Sequence, residues 1–307
     1  MVLNYLLRKR EDFQSTHEQL HIMTRKTSKC TSVKIFNNNL CLLILPLLFV
    51  LTGFNSLLQA QDRNYEDVII MGVYAHPDDE TSSGPVFAKY ARKGAKIILV
   101  VATDGRLGVT DLTDLEAGDE LAALRREEMQ CAADVLGADL HHMHYHDQLR
   151  APEGQDLFIQ ESRKIIDDLH EIMGDRQPDI IITWGPDGGS NHLDHRIISA
   201  TVTQIVLSKN WENRPSLFYS GTQIPELGDL WRYRGVHEDF LTVRETFTEE
   251  DVDVAAEAAR CHSSQFRPEL IESWAEQWRE TGHTYFRPFE APRAMADDML
   301  SYPSQYE

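Results

Sequence analysis

Nearly continuous apolar runs recur along the chain, each followed by an amphipathic stretch. Asp67 to Ala75 and Lys96 to Ala102 are rich in Ile, Val and Leu, as strands buried on both faces are. Leu140 to Tyr145, Asp179 to Trp184 and Leu217 to Ser220 predict further strands. Between them, Ser82 to Lys93 reads as a helix stopped at Gly94, and Asp119 to Leu136 as a long helix closed by Gly137. Leu157 to Met173, Asp194 to Leu207, Glu249 to His262 and Leu270 to Glu280 complete the predicted helices. Alternating strands and helices imply right-handed crossovers. The fold expected is α/β: a doubly wound, mostly parallel, Rossmann-like sheet with helices on both faces.

The first sixty residues break this pattern. Arg25, Lys26, Lys29 and Lys34 precede an apolar segment from Leu40 to Phe54, and Leu58-Gln59-Ala60 ends in small residues. That is the layout of a signal peptide cut after Ala60, with Met23 as an alternative start. The apolar segment contains Pro46 and is short against the roughly 20 residues a spanning helix needs. The expectation is an exported chain, periplasmic or extracellular, without a membrane span once the leader is removed. Residues 61–307 then form one domain, long enough for a core of its own.

Charge narrows the partners. The chain carries 30 Lys and Arg against 49 Asp and Glu; without the seven basic and three acidic residues of the leader, 23 stand against 46, a net charge near −23. Such a surface repels nucleic acid and anionic membranes. Cys131 and Cys261 remain after the leader, and without a C-x-x-C spacing they read as two small buried thiols. The G-x-G-x-x-G fingerprint of dinucleotide sites is missing after the first strand.

In its place stands Ala75-His76-Pro77-Asp78-Asp79-Glu80, and a second cluster, His192-Leu193-Asp194-His195, follows the strand ending at Trp184. Strand exits are where α/β proteins collect their chemistry. His76 and Asp79, three apart on a turn, could chelate one ion, with His195 as third ligand and one position left for water; zinc suits such a donor set, and iron(II) is possible. Asp78 is placed to accept a proton from that water, His192 to donate to a leaving nitrogen or hold an oxyanion, and Asp194 to orient one of its two neighbouring histidines. Singly, a His-Pro-Asp turn is a helix cap and an H-x-x-H a solvated helix face; their joint occurrence is what points to a hydrolytic site. The run His141, His142, His144 and His146 reads as a partly solvated strand with 142, 144 and 146 on one face. Trp274, Trp278, Tyr285 and Phe286 could stack on sugar, packing of a terminal helix being the ordinary reading.

His76-Pro77-Asp78-Asp79-Glu80, Thr103-Asp104-Gly105, Arg125-x-x-Glu128 and His192-x-x-His195 together resemble the PIG-L-type, LmbE-like family of zinc-dependent de-N-acetylases acting on N-acetylglucosamine conjugates. The similarity runs from about Asp67 to Ala200, with a weaker echo at His262-Ser263-Ser264-Gln265. It implies zinc on His76, Asp79 and His195, Asp78 as general base, and His192 as electrostatic or acid partner. It also implies that Arg125 and Asp147 reach toward the sugar. His262 and Gln265 are candidates to close the site from the C-terminal part. Asn191, Leu193 and Ser190 depart from the Gly, Pro and Tyr found at corresponding places in some members. The expectation is a metal-dependent hydrolase removing the N-acetyl group from an amino sugar or glycoconjugate. Two other readings stay open: a non-haem iron oxygenase, since two histidines and a carboxylate form its facial triad, and a glycan binder without catalysis.

Overall fold

A computed structural model describes residues 65–223 and 234–289; the leader and the cut after Ala60 lie outside them. Among the described residues, one seven-stranded sheet has the order β3-β2-β1-β4-β5-β7-β6. The strands are β1 (Ile69–Tyr74), β2 (Lys96–Thr103), β3 (Ala138–Tyr145), β4 (Ile180–Trp184), β5 (Ser216–Ser220), β6 (Val243–Thr246) and β7 (His283–Phe289). The first five run parallel, while β7 runs antiparallel to β5 and β6 antiparallel to β7. The helices are α1 (Gly84–Arg92), α2 (Asp119–Leu136), α3 (Gln155–Arg176), α4 (Leu193–Ser208), α5 (Glu249–Cys261) and α6 (Pro268–Thr281).

Alternation along each strand divides the core. Met71, Val73 and Ala75 of the β1 segment face α3 and α4 through Ile165, Leu169, Ile198 and Val202. Ile70 and Tyr74 face α1, α2 and α5 through Phe87, Met129, Ala132 and Ala258. On this second face Gly72 lets the Phe87 ring approach the sheet, for a Cβ there would lie 2.7 Å from it. Both faces are therefore covered, as a parallel sheet requires. The chain leaves β1 for β2 on one side, and β4 lies on the other. Loops leaving neighbouring β1 and β4 diverge at this reversal and open a crevice.

Three expectations need correction. Cys131 and Cys261 are not buried thiols but form a disulfide joining α2 to the end of α5. In the entropic account, closing a loop of 130 residues removes about 5 kcal/mol of freedom from the unfolded chain. The histidine tract does not keep one face: β3 slips register against β2 between Val101 and Thr103, and His144 adopts φ 58°. His142 spends Nε2 on the Thr103 carbonyl at 2.8 Å, and burial pushes its pKa down to about 4. Strands β6 and β7 had no counterpart in the sequence reading.

At the start of α5, Asp251 and Thr248 cap each other, and Arg92 of α1 grips Asp251 with two bonds of 2.8 and 2.9 Å. Burial alone would raise the Asp251 pKa, but the Arg92 and Thr248 hydrogen bonds bring it below the ordinary value. A depressed folded-state pKa stabilises above the unfolded value of about 3.9, and that contribution fades as pH falls through the folded value. Asp251→Ala is expected to cost about 3 kcal/mol at pH 7. The gap to wild type should narrow in melts run near pH 3; an unchanged gap would refute the ionic origin.

Candidate metal centre and its cleft

Immediately after β1 the chain turns through His76-Pro77-Asp78 into a 3-10 turn, Asp79–Ser83. That turn folds the Asp79 carboxylate back over the strand end. Asp79 Oδ2 accepts the N–H groups of Ala75 (3.0 Å) and His76 (2.9 Å) and the indole N–H of Trp184 (3.2 Å). Its Oδ1 is left facing His195 Nε2 at 3.2 Å.

The β4 exit supplies that histidine. A short turn, Gly188–Asn191, leads into α4, and Gly188 at φ 67° aims its carbonyl at His195 Nδ1, 2.8 Å away. The bond fixes the tautomer and turns Nε2 inward. Trp184 lies flat against the His195 ring, 4.8 Å between centroids and 3° between planes. Gly189 admits this indole, since a Cβ there would stand 2.5 Å from it. Trp184 thus fixes both an imidazole and a carboxylate, a role the sequence reading did not give it.

His76 completes the triad. Its Nδ1 lies 2.9 Å from His195 Nε2 and 3.7 Å from Asp79 Oδ2. Its Nε2 lies 3.2 Å from both Asp147 Oδ1 and Asp194 Oδ2. With His195 Nδ1 donating to the Gly188 carbonyl and His76 Nε2 set between two carboxylates, the two facing nitrogens are left to share a proton or a cation. Burial opposes charge on His76, yet hydrogen bonds to Asp147 and Asp194 and the charge of Asp79 raise its pKa to about 10. His195 is likewise raised against burial by Asp79. Burial would raise Asp79 too, but His195 and His76 hold it well below the carboxylate range.

The donor set fits a divalent cation. Ligands about 2.0–2.2 Å from one tetrahedral ion stand roughly 3.3 Å apart; here the two imidazole nitrogens are 2.9 Å apart, His195 Nε2 is 3.2 Å from Asp79 Oδ1, and His76 Nδ1 is 3.7 Å from the other oxygen of that carboxylate. Ligand atoms of His76, His192 and His195 also lie within 4.8 Å of one another. Asp194 Oδ1 is buried without a hydrogen-bond partner, a carboxylate oxygen suited to a region of positive charge.

Asp78 stands beside the triad in the left-handed region, at φ 110°. A non-glycine residue there costs about 1–3 kcal/mol and persists only where its surroundings impose it. Asp78 N–H donates to Glu80 Oε2 at 3.2 Å, and Glu80 Oε1 meets His262 Nε2 at 2.7 Å. Both members of that pair are fully buried. Arg125 Nη2 holds Asp78 Oδ2 at 2.7 Å. Burial is the chief influence on the Asp78 pKa, outweighing Arg125 and, with help from Asp79, raising it to about 6. Arg125, Glu128 and Cys131 recur every three residues on α2 and hold Asp78, Ser264 and Cys261 respectively.

The remaining sequence candidates fall as follows. His192 is half-buried, 4.7 Å from the His76 ring and 4.9 Å from that of His195. Its Nδ1 caps α4 by accepting the Asp194 N–H, and burial first, then the two neighbouring histidines, lower its pKa. Asp194 orients His76, across the crevice, and not His192 or His195. Arg125 does not open toward a ligand: its donors go to the Gly105 and Pro77 carbonyls and to Asp78. Asp147 likewise turns inward, to His76 and the Leu107 N–H. His262 supports Glu80, and Gln265 donates to the Gly108 and Ser264 carbonyls.

Residues 71–206 match the family described as PIG-L: GlcNAc-PI de-N-acetylase. A 1D-myo-inositol 2-acetamido-2-deoxy-alpha-D-glucopyranoside deacetylase from Kineococcus radiotolerans is 32% identical over 163 residues, 45% of each chain. This chain spans about half the length of the curated relatives it matches. The N,N'-diacetylchitobiose deacetylase from Pyrococcus horikoshii aligns with a TM-score of 0.54 at 21% identity, over 84% of this chain and 95% of that one. The zinc-inhibited form of teicoplanin deacetylase Orf2 aligns at 0.57 and 17% identity, over 74% and 100%. At these identities the two structures are similar in fold.

Proposed function

We propose, on the match of residues 71–206 to the PIG-L family, that this chain is a metal-dependent hydrolase that removes acetyl from an N-acetylglucosamine-type sugar or glycoconjugate. The observation carrying this is the convergence of His76 Nδ1, Asp79 Oδ1 and His195 Nε2 beside Asp78. His76, Asp79 and His195 would hold a divalent cation, zinc by their donor chemistry and iron(II) as the alternative, which would supply Lewis acidity for the attacking water and the acetyl carbonyl. Asp78, fixed through Oδ2 by Arg125, accepts the proton from the water. His192, beside His76 and His195, faces the developing oxyanion and the departing nitrogen. The carbon–oxygen bond forms, the carbon–nitrogen bond breaks, and the proton taken by Asp78 passes to the amine, giving acetate and a free amino sugar. Asp147 and Asp194 orient His76.

An iron oxygenase is disfavoured by the parallel sheet, and a binder without catalysis has no need of a strained, partly buried Asp78. The leader read at residues 1–60 and the Cys131–Cys261 bridge support export to an oxidising compartment.

Acetate release from a panel of N-acetylhexosamine compounds tests the reading. Purified protein is expected to carry a divalent metal, to release acetate, to lose activity with a chelator and to regain it with zinc. Metal-loaded protein that leaves the whole panel intact would overturn the proposal. Oxygen uptake with iron and a keto acid would replace it with the oxygenase reading.

A further inference from the structure

One cleft of about 530 Å³ reaches Asp78, Asp79 and His195 at one side and is lined by α6 and β7 at the other. These elements lie beyond the segment that matches the family. On α6, Trp274, Gln277, Trp278 and Thr281 all line the cleft; their spacing of three, four and seven puts them on one face. That face flanks the stripe of Ile271 and Ala275, which packs on Val252, Ala256 and Ala259 of α5.

Packing does not account for Trp274. Phe266 and Trp278 pack against the α5–α6 cluster, whereas Trp274 belongs to none of the apolar clusters among the described residues. Its ring is nevertheless fixed, edge-on to Phe266 at 4.9 Å, and lies 6.5 Å from the Trp278 ring. Tyr285 lines the cleft from β7. Flat aromatic faces bordered by a neutral amide and hydroxyls suit a ring with C–H groups on its faces and hydroxyls at its rim, as in a pyranose. An alkyl chain would offer the Gln277 amide no hydrogen-bond partner. A single N-acetylhexosamine is about half the size of the ligands that clefts of this volume enclose.

We propose that Trp274 and Trp278 form a platform for a second sugar ring joined to the N-acetylated one, so that the substrate is a di- or oligosaccharide. This rests on the deacetylase reading above, and its test separates the two.

Relative kcat/KM is measured for N,N'-diacetylchitobiose and for N-acetylglucosamine. Burying one more ring face is expected to favour the two-ring compound by about ten- to a hundredfold. Trp274→Ala should reduce that preference by about tenfold, Gln277→Ala should reduce it less, and Trp274→Phe should keep most of it. A preference that Trp274→Ala leaves unaltered overturns the proposal. So does octyl N-acetylglucosaminide matching the two-ring compound, since the face would then be an acyl or alkyl site. Quenching of tryptophan fluorescence by diacetylchitobiose supplies a readout free of turnover. If wild type releases no acetate from either compound, the deacetylase reading falls, and calorimetric binding of diacetylchitobiose, weakened about tenfold in Trp274→Ala and kept in Trp274→Phe, still decides for the platform, equal binding by all three proteins deciding against it.

Discussion

Asp78→Asn is expected to lower acetate release by about 10³-fold while the bound metal stays in place. The substitution keeps the size of the side chain and removes its ability to take a proton. The three groups facing one another at 2.9–3.7 Å are those of His76, Asp79 and His195, so metal content should not depend on Asp78. Arg125 keeps its bonds to the Gly105 and Pro77 carbonyls, which limits the structural damage. Metal analysis and steady-state kinetics on the same preparation separate the alternatives. Loss of metal along with activity would make Asp78 a ligand, and activity near wild type would remove it from the chemistry.

Glu80→Gln is expected to cost about 3–5 kcal/mol, because it leaves His262 buried without its carboxylate. For a chain of this size that is a fall of roughly 10 °C in melting temperature. A second effect follows from the backbone. Glu80 Oε2 accepts the Asp78 N–H and so helps hold φ 110°. Once that carboxylate is gone, Asp78 can relax toward an ordinary conformation and carry its side chain away from the metal. The expected kinetic signature is a fall in kcat of about tenfold with little change in KM. A double-mutant cycle with His262→Gln should show coupling of roughly 1–3 kcal/mol. Strict additivity would mean that the pair does not act as a unit, and an unaltered kcat would confine Glu80 to stability.

How far the sequence could be read depended on how local the cause was. β1, β2 and β4 were legible because strands buried on both faces must be apolar throughout, and α2 because Gly137 closes it in the left-handed conformation. The triad was legible because each half lies in one short segment at a strand exit. Non-local features were hidden. β6 has only four residues, Val-Arg-Glu-Thr, and β7 contains Arg287 and Pro288; β7 exists because β5 offers an edge to pair with, and β6 because β7 then offers the next. The Cys131–Cys261 bridge spans 130 positions, and Asp194 reaches a histidine 118 positions away. Trp184 was visible as the last residue of an apolar run, but nothing in that run tells that its indole will support both a ligand ring and a ligand carboxylate. Arg125 illustrates the opposite case, since a charged residue on an amphipathic helix reads as exposed until the Asp78 turn is placed over it.

The two halves of the centre lie 119 positions apart, on loops after β1 and β4. A chain ending before His195 carries only half of the chelating set, however well its early strands have paired. Tight ion capture would therefore report that β1 and β4 have come to lie side by side, and an ion held there would act as a latch across the seam between the two halves of the sheet. Free metal at a thousandfold over its dissociation constant would weight the native state by about 4 kcal/mol. An ion that equipped the chain for the proposed hydrolysis would thus also guard its architecture, and stripping it would loosen both together.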